Sequence, residues 1–169
     1  LPGAFLTLGR GYVADIIPVP VIILIIVFLL AHYILTQTSY GRSVYAVGGN
    51  REAARLSGIR VKTSEFLVYT LNGLMCGMAG LILTARLGSA QSTSGTGIEM
   101  DAIAAVILGG TSLSGGVGFV LPTVVGAMIM GIIDNILTLM NVNPHATNIV
   151  KGAVILIAVL VDKKVKDLS

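Results

Sequence analysis

The stretch IIPVPVIILIIVFLLAHYIL, residues 16–35, carries no Asp, Glu, Lys or Arg. About 20 apolar residues are enough for a helix to cross the roughly 30 Å hydrocarbon core of a bilayer. The rest of the chain has the same character, since 54% of its 169 residues are hydrophobic and 11% are charged. A typical soluble domain has about 25% charged residues. The sequence therefore predicts an integral membrane protein.

Four further apolar runs follow, at residues 66–84, 102–110, 119–140 and 146–161. All except 102–110 are long enough, or nearly so, to cross as helices. The run 102–110 is either a broken or re-entrant helix, whose free backbone groups need protein or water around them, or a crossing that includes its polar flanks. We expect an all-α, polytopic integral membrane helical bundle with one short or broken helix, and a single transmembrane domain over residues 1–169. The chain begins without Met and shows no signal-peptide pattern, so we expect a fragment.

Positive charge predicts the orientation. Residues 36–64 and the tail are the two basic segments, with Arg42, Arg51, Arg55, Arg60 and Lys62 in the first and Lys163, Lys164 and Lys166 in the second. Both should be cytoplasmic by the positive-inside rule. Five crossings place them on the same side, whereas a re-entrant 102–110 would separate them, so the charge distribution favours a crossing.

Within the basic loop, the segment NREAARLSG at residues 50–58 predicts a short charged helix. Asn50 is a good N-cap, Glu52 suits the first turn, and Gly58 suits a left-handed end. Two turns are too short for independent stability, so docking must order this helix. The candidate docked face consists of Ala53, Leu56 and Ile59. The charges can fix the register on a partner, and the competing interpretation is a solvated loop that only sets topology.

Three segments carry a family resemblance: GRSVYAVGGNREAARLSG at 41–58, EMDAIAAVILGGTSLSGGVG at 99–118, and the tail 151–163. Together they resemble the C-terminal half of the permease subunit of bacterial ABC sugar importers, closest to the ribose type. The resemblance implies a multi-pass protein of the bacterial cytoplasmic (inner) membrane that moves a monosaccharide. It also implies partners, namely cytoplasmic ATPase subunits that hydrolyse the ATP, a periplasmic sugar-binding protein and a second permease copy. Residues 36–64 would be the coupling loop, with the ATPase contact at Asn50, Arg51, Glu52, Ala53, Ala54, Arg55 and Gly58.

Polar groups at membrane depth are costly when unpaired and are therefore functional candidates. Here they are Asn72, Asp134, Asn135 and Lys151. An ion pair between Asp134 and Lys151 is possible, and we favour a clamp between helices over a place in the sugar path. Asp101 precedes the short segment, where we expect it to cap a helix N-terminus; the alternative is the pathway entrance.

Several other functions are not expected. The run at 109–118 has no Lys and does not follow a soluble strand, so it is not a phosphate-binding loop but a break between helices. His32 and His145 lack partners at ligand spacing, which argues against a metal site, and no cofactor is expected. The net charge of +3 does not indicate nucleic acid. No Ser, His and acid arrangement indicates hydrolysis, so the chain itself is not expected to be an enzyme.

Small residues at GxxxG-type spacing indicate helix contacts. They are Gly73 with Gly77 and Ala127 with Gly131. Either pair could lie at a contact between subunits or between helices, and packing inside the chain is the more frequent case. The rival function is a secondary carrier that uses an ion gradient through a broken-helix site near Gly109, with Asp101 or Asp134 binding the ion. A packing subunit without transport is the third alternative.

Overall fold

The computed structural model describes residues 3–13 and 16–166. The helices in that part are α1 (Gly3–Arg10), α2 (Val19–Gln37), α3 (Ser39–Gly49), α4 (Arg51–Leu56), α5 (Val61–Leu87), α6 (Ile98–Leu108), α7 (Val120–Leu139) and α8 (Pro144–Lys166). Strands β1 (Tyr12–Val13) and β2 (Ile17–Pro18) form a short antiparallel ladder. Helices α2, α5 and α7 are long and apolar enough to cross a membrane. The predicted all-α, polytopic membrane fold is confirmed.

The chain divides into two compact units, Leu1–Thr96 and Gly97–Ser169. In the first, α5 packs against α1, α3 and α4, and α2 packs against α1 and α3. In the second, α6 packs against both α7 and α8. A single transmembrane domain over the whole chain stays a prediction.

Helix α2 has 19 residues, about 28 Å of helix, and α3 follows it after a single residue. Thr38 makes this possible because its hydroxyl group donates to Ile34 O (2.6 Å) and accepts from Gly41 N (3.2 Å). Gly41 is required here, since a Cβ would lie 2.3 Å from Leu35 O. The polar residues after the first apolar run therefore form a helix, α3, that apolar periodicity did not predict.

Helix α5 has 27 residues and extends beyond the predicted run 66–84 at both ends. Its end at Gly88, with φ of 74°, is held by Arg10. The guanidinium of Arg10 donates from Nε to Arg86 O (2.8 Å) and from Nη2 to Leu87 O (3.0 Å). These carbonyls lack partners inside the helix, so Arg10 satisfies groups that a helix C-terminus leaves free.

The second unit is organised around α6, which has 11 residues, about 16 Å of helix. A Cβ at Gly126 would lie 2.1 Å from Ala105 O, and one at Gly109 would lie 2.5 Å from Thr123 Cα. Because 105 faces 126 and 109 faces 123, α6 and α7 run antiparallel at very close approach. The small core of the second unit contains Ala104, Ala105 and Met130. Packed against this core are Leu108, Ile133, Val154 and Ile155.

The glycine-rich segment between α6 and α7 is the predicted break between helices. Gly110, Gly115 and Gly116 have positive φ, a conformation that glycine adopts without strain. After α7, α8 begins at Pro144 and continues through Lys166, longer than the predicted run 146–161. The side chains of Lys163, Lys164 and Lys166 lie outside those that the structure describes.

Gly73 and Gly77 are not used for packing within the described part of the chain. A Cβ at either position would meet nothing within 4 Å, and the same holds for Gly131. Within their own units these three glycines therefore make no close contact with another described helix, and a contact with another subunit stays a prediction.

Candidate functional site

The short charged helix predicted in the basic loop is α4, and both of its predicted ends are confirmed. Asn50 is the N-cap, and its Oδ1 accepts from Ala53 N at 2.9 Å. At the other end Gly58 has φ of 81°. Gly58 N donates to Arg55 O (3.0 Å) and Ile59 N donates to Ala54 O (3.1 Å). This is the Schellman pattern, which satisfies the last carbonyls of the helix.

The buried side of α4 differs from the predicted face. Ala54 is 4% exposed, whereas Ala53 is exposed and Leu56 is 82% exposed. Helix α4 contacts both α3 and α5 in this orientation. The guanidinium of Arg51 also binds Glu65 on α5, with Nε 2.9 Å from Oε1 and Nη2 3.0 Å from Oε2. These contacts hold α4 with Ala54 towards the rest of its unit and leave Leu56 free.

The outer side of α4 combines charge with one large apolar side chain. Arg55 Nη1 lies 4.0 Å from Glu52 Oε1, and both side chains are at least 70% exposed. Such exposed pairs contribute little, so both groups remain available to a partner. Leu56 beside them adds a large exposed apolar side chain that a partner could cover.

A second group of predicted residues meets in the second unit, where three helices meet at one ion cluster. Lys151 Nζ on α8 lies 2.7 Å from Asp101 Oδ1 and 2.9 Å from Asp101 Oδ2 on α6. The same Nζ lies 2.9 Å from Asp134 Oδ1 on α7. The predicted pair of Asp134 and Lys151 is confirmed, and Asp101 joins it. We call these three residues the charged triad.

The triad is unequal in geometry and in exposure. Asp101 contacts the ammonium with both oxygens and its side chain is 25% exposed, whereas Asp134 uses one oxygen and is 36% exposed. The Lys151 side chain is 15% exposed. Asp101 is therefore the principal counter-ion, and two carboxylates share one cation.

The expected capping role of Asp101 is wrong. Helix α6 begins after Gly97, which has φ of 91° and is the N-cap, without a side-chain cap. The nearby carboxylate of Glu99 accepts from Gly97 N at 3.1 Å. Asp101 lies one turn further along α6, where Lys151 is within its reach. The ionic contact competes successfully with capping because the largely buried ammonium group of Lys151, 15% exposed, needs a counter-ion.

The remaining predicted residues are not brought into either group. Asn72 on α5 and Asn135 on α7 have exposed side chains, and neither makes a side-chain hydrogen bond within the described residues. His32 stacks on Phe28, with ring centroids 6.0 Å apart. The side chain of His145 lies outside those that the structure describes.

Sequence reasoning missed Glu65 as the partner of Arg51. The two residues are 14 positions apart and belong to different helices. No periodicity links them, because the turn at Gly58 decides their separation. The only available signal was an acidic residue at the start of an otherwise apolar helix.

Residues 2–159 match the family described as branched-chain amino acid transport system / permease component. The ribose import permease protein RbsC of Escherichia coli (strain K12) is 55% identical over 148 residues, which is 88% of this chain and 46% of that protein. RbsC of Bacillus subtilis (strain 168) is 49% identical over 160 residues, 95% of this chain and 49% of that protein.

The xylose transport system permease protein XylH of Escherichia coli (strain K12) is 48% identical over 150 residues. The alignment covers 89% of this chain and 38% of XylH. The chain therefore spans about half the length of the curated relatives it matches, or less. No solved structure matches it significantly.

Proposed function

The chain belongs to the permease-component family that its sequence matches, and on this premise we propose that it forms part of the transmembrane permease subunit of an ABC importer. The cargo is a monosaccharide, ribose or a related sugar, which crosses the bacterial cytoplasmic membrane. Two kinds of relatives support a sugar, since their names specify ribose and xylose. The family description names branched-chain amino acids. The proposed cargo follows instead the relatives that are 48% to 55% identical to this chain, whose names specify sugars. ATP hydrolysis belongs to separate subunits.

The coupling element is α4, which transmits the movement of a cytoplasmic ATPase to the membrane helices. The observation that carries this proposal is the combination of a helix capped at both ends with a freely exposed outer side. Caps and the bidentate Arg51 contact hold α4 in place, so a push on Leu56 reaches α5 without unfolding the helix. A periplasmic sugar-binding protein and a second permease copy complete the proposed assembly.

The charged triad is proposed as a clamp that fixes α6, α7 and α8 at one level. Helix α6 lies beside α7 from the level of Asp134 to the level of Thr123. That range covers most of α7, a helix of membrane-crossing length. At 1.5 Å per residue this stretch is about 16 Å, roughly half of the hydrocarbon core, so the crossing of 102–110 together with its flanks stays a prediction. The secondary-carrier alternative gains no support from relatives that are named as import or transport-system permeases.

Uptake measurements test the class of transporter. The full-length permease is reconstituted in proteoliposomes with its ATPase and binding protein, and radiolabelled ribose uptake is followed. Uptake should stop when ATP hydrolysis is blocked and should continue when ion gradients are collapsed. The opposite pattern would identify a carrier and contradict the proposal.

Two substitutions test the coupling element. Glu52→Lys reverses an exposed charge on α4, and Gly58→Ala strains a left-handed position where nothing lies within 4 Å of the added Cβ. Both should reduce co-purification of the ATPase without reducing membrane insertion. Glu99→Lys is the matched charge control, because it makes the same change after the second predicted crossing, on the side opposite to the basic loop. Undiminished ATPase recovery with both α4 variants would refute the assignment of α4.

A further inference from the structure

A basic groove of about 570 Å³ lies between α4 and the start of α5. Its lining is Arg51, Glu52, Arg55, Arg60, Val61 and Lys62. Four of these six residues are cations, and Val61, at 8% exposed, is buried beneath them. The groove belongs entirely to the first unit.

The cations of the groove are not equally engaged. Glu65 holds Arg51 in a bidentate pair, and Arg55 is only 4.0 Å from Glu52. Arg60 and Lys62 have no carboxylate within 4.0 Å among the described residues. After the internal pairs are formed, the groove keeps an excess of positive charge, which favours an anion.

The sequence of α5 places the Lys62 side of this groove at the height of lipid headgroups. Between Glu65 and Arg86, residues 66–85 contain no charged side chain. Twenty helical residues measure about 30 Å, which equals the thickness of the hydrocarbon core. Lys62 precedes Phe66 by four residues and thus lies about 6 Å outside that core. The headgroup layer on each side is about 5 to 8 Å thick, so Lys62 lies within it.

We propose that this groove binds the phosphate of an anionic phospholipid, with Arg60 and Lys62 as its principal ligands and Arg55 at its rim. A lipid phosphate is favoured over free phosphate because the bilayer holds headgroups at this height, at high local concentration. The inference rests on the proposed insertion of α5 with α4 at the cytosolic surface, where anionic lipids attract basic residues next to a membrane helix. Lipid bound there would lie directly under α4 and would stabilise its position.

The test measures which lipids remain on the full-length permease. Purified protein is incorporated into nanodiscs of phosphatidylcholine with phosphatidylglycerol, re-extracted in mild detergent, and its retained lipid is quantified by mass spectrometry. Arg60→Gln with Lys62→Gln should lower retention of phosphatidylglycerol by about 25-fold, about fivefold for each cation. Arg86→Gln is the matched control, because it removes an exposed cation from the opposite end of the same helix. It should leave retention unchanged.

Two further arms identify the ligand. Inorganic phosphate alone should neither bind to the protein in phosphatidylcholine nanodiscs nor displace phosphatidylglycerol; if it does either, the ligand is a free anion and the proposal is wrong. Equal loss of phosphatidylglycerol in the double variant and in Arg86→Gln would also overturn it. If the double variant keeps the lipid but loses the ATPase, the cations serve the protein partner instead. Because lipid retention requires no ATPase, its outcome is independent of the test of α4 as a coupling element.

Discussion

Removing the cation of the charged triad should destabilise the second unit strongly. Lys151→Met keeps most of the side-chain length but leaves Asp101 and Asp134 facing each other without a counter-ion. The ammonium lies 2.7 to 2.9 Å from three carboxylate oxygens. At an effective dielectric constant of about 20, each pair attracts by about 6 kcal/mol before desolvation is counted. Desolvation offsets much of this attraction in the wild type.

The expected loss for Lys151→Met is about 3 kcal/mol in the free energy of unfolding, the lower end of the range for a broken buried pair. The lower end applies because the partner side chains are 25% and 36% exposed. Asp134→Asn should cost less, about 1 kcal/mol, since it removes one contact and leaves Asp101 with the lysine. Asp101→Asn should cost more than Asp134→Asn because Asp101 binds with two oxygens.

The assay is unfolding of the full-length protein in mixed micelles with increasing SDS, followed by far-UV circular dichroism and pulse proteolysis. Lys62→Met is the matched control, because it removes an exposed cation without a carboxylate neighbour, and should change stability by less than about 0.5 kcal/mol. The decisive variant combines Asp101→Asn, Lys151→Met and Asp134→Asn, which removes every charge and should restore stability to within about 1 kcal/mol. If the triple variant is as unstable as Lys151→Met alone, the electrostatic reasoning is refuted.

Two other predictions use the same assay. Gly126→Ala should destabilise by about 2 kcal/mol, because its Cβ would lie 2.1 Å from Ala105 O. Gly131→Ala on the same helix meets nothing within 4 Å and should be neutral or stabilising by up to about 1 kcal/mol; equal effects would show that α6 does not contact α7 here. Burial raises the pKa of Tyr40, whose hydroxyl group has no hydrogen-bond partner among the described residues. In the unfolded chain this hydroxyl group therefore loses its proton first, near its ordinary pKa of 10.0. The stability that neutral Tyr40 contributes below that pH is lost as the pH rises through the higher pKa of the folded protein. Tyr40→Phe should be neutral or stabilising by about 1 kcal/mol at pH 7, and its stability should fall less at alkaline pH than that of the wild type. Tyr69→Phe is the exposed control, and a steeper alkaline fall in stability for Tyr40→Phe than for this control would contradict the prediction.

Local signals predicted the ends of α4 because caps are local chemistry. An Asn side chain reaches the backbone three residues on, and a Gly supplies the left-handed turn, whatever surrounds the helix. Helix α3 also begins at a local cap, Thr38, which accepts from Gly41 N, but the search for apolar runs passed over it. Local signals did not indicate that Ala54 is the residue of α4 buried within the unit, because burial depends on which helices pack against α4.

The sequence by itself determined that this chain enters a membrane, which of its segments are long enough to cross, and where its basic loop lies. These properties follow from apolar length and from charge, and both can be read without knowing any contact. The tertiary structure alone decided that Asp101 joins Asp134 and Lys151 in one cluster, and that Ala54 rather than Leu56 is buried. Asp134 and Lys151 follow Asp101 by 33 and 50 positions. They meet it only because α6 packs against both α7 and α8, and Gly126 permits the close approach of α6 to α7. Partners of this kind depend on how helices pack against one another, which no local pattern of residues encodes.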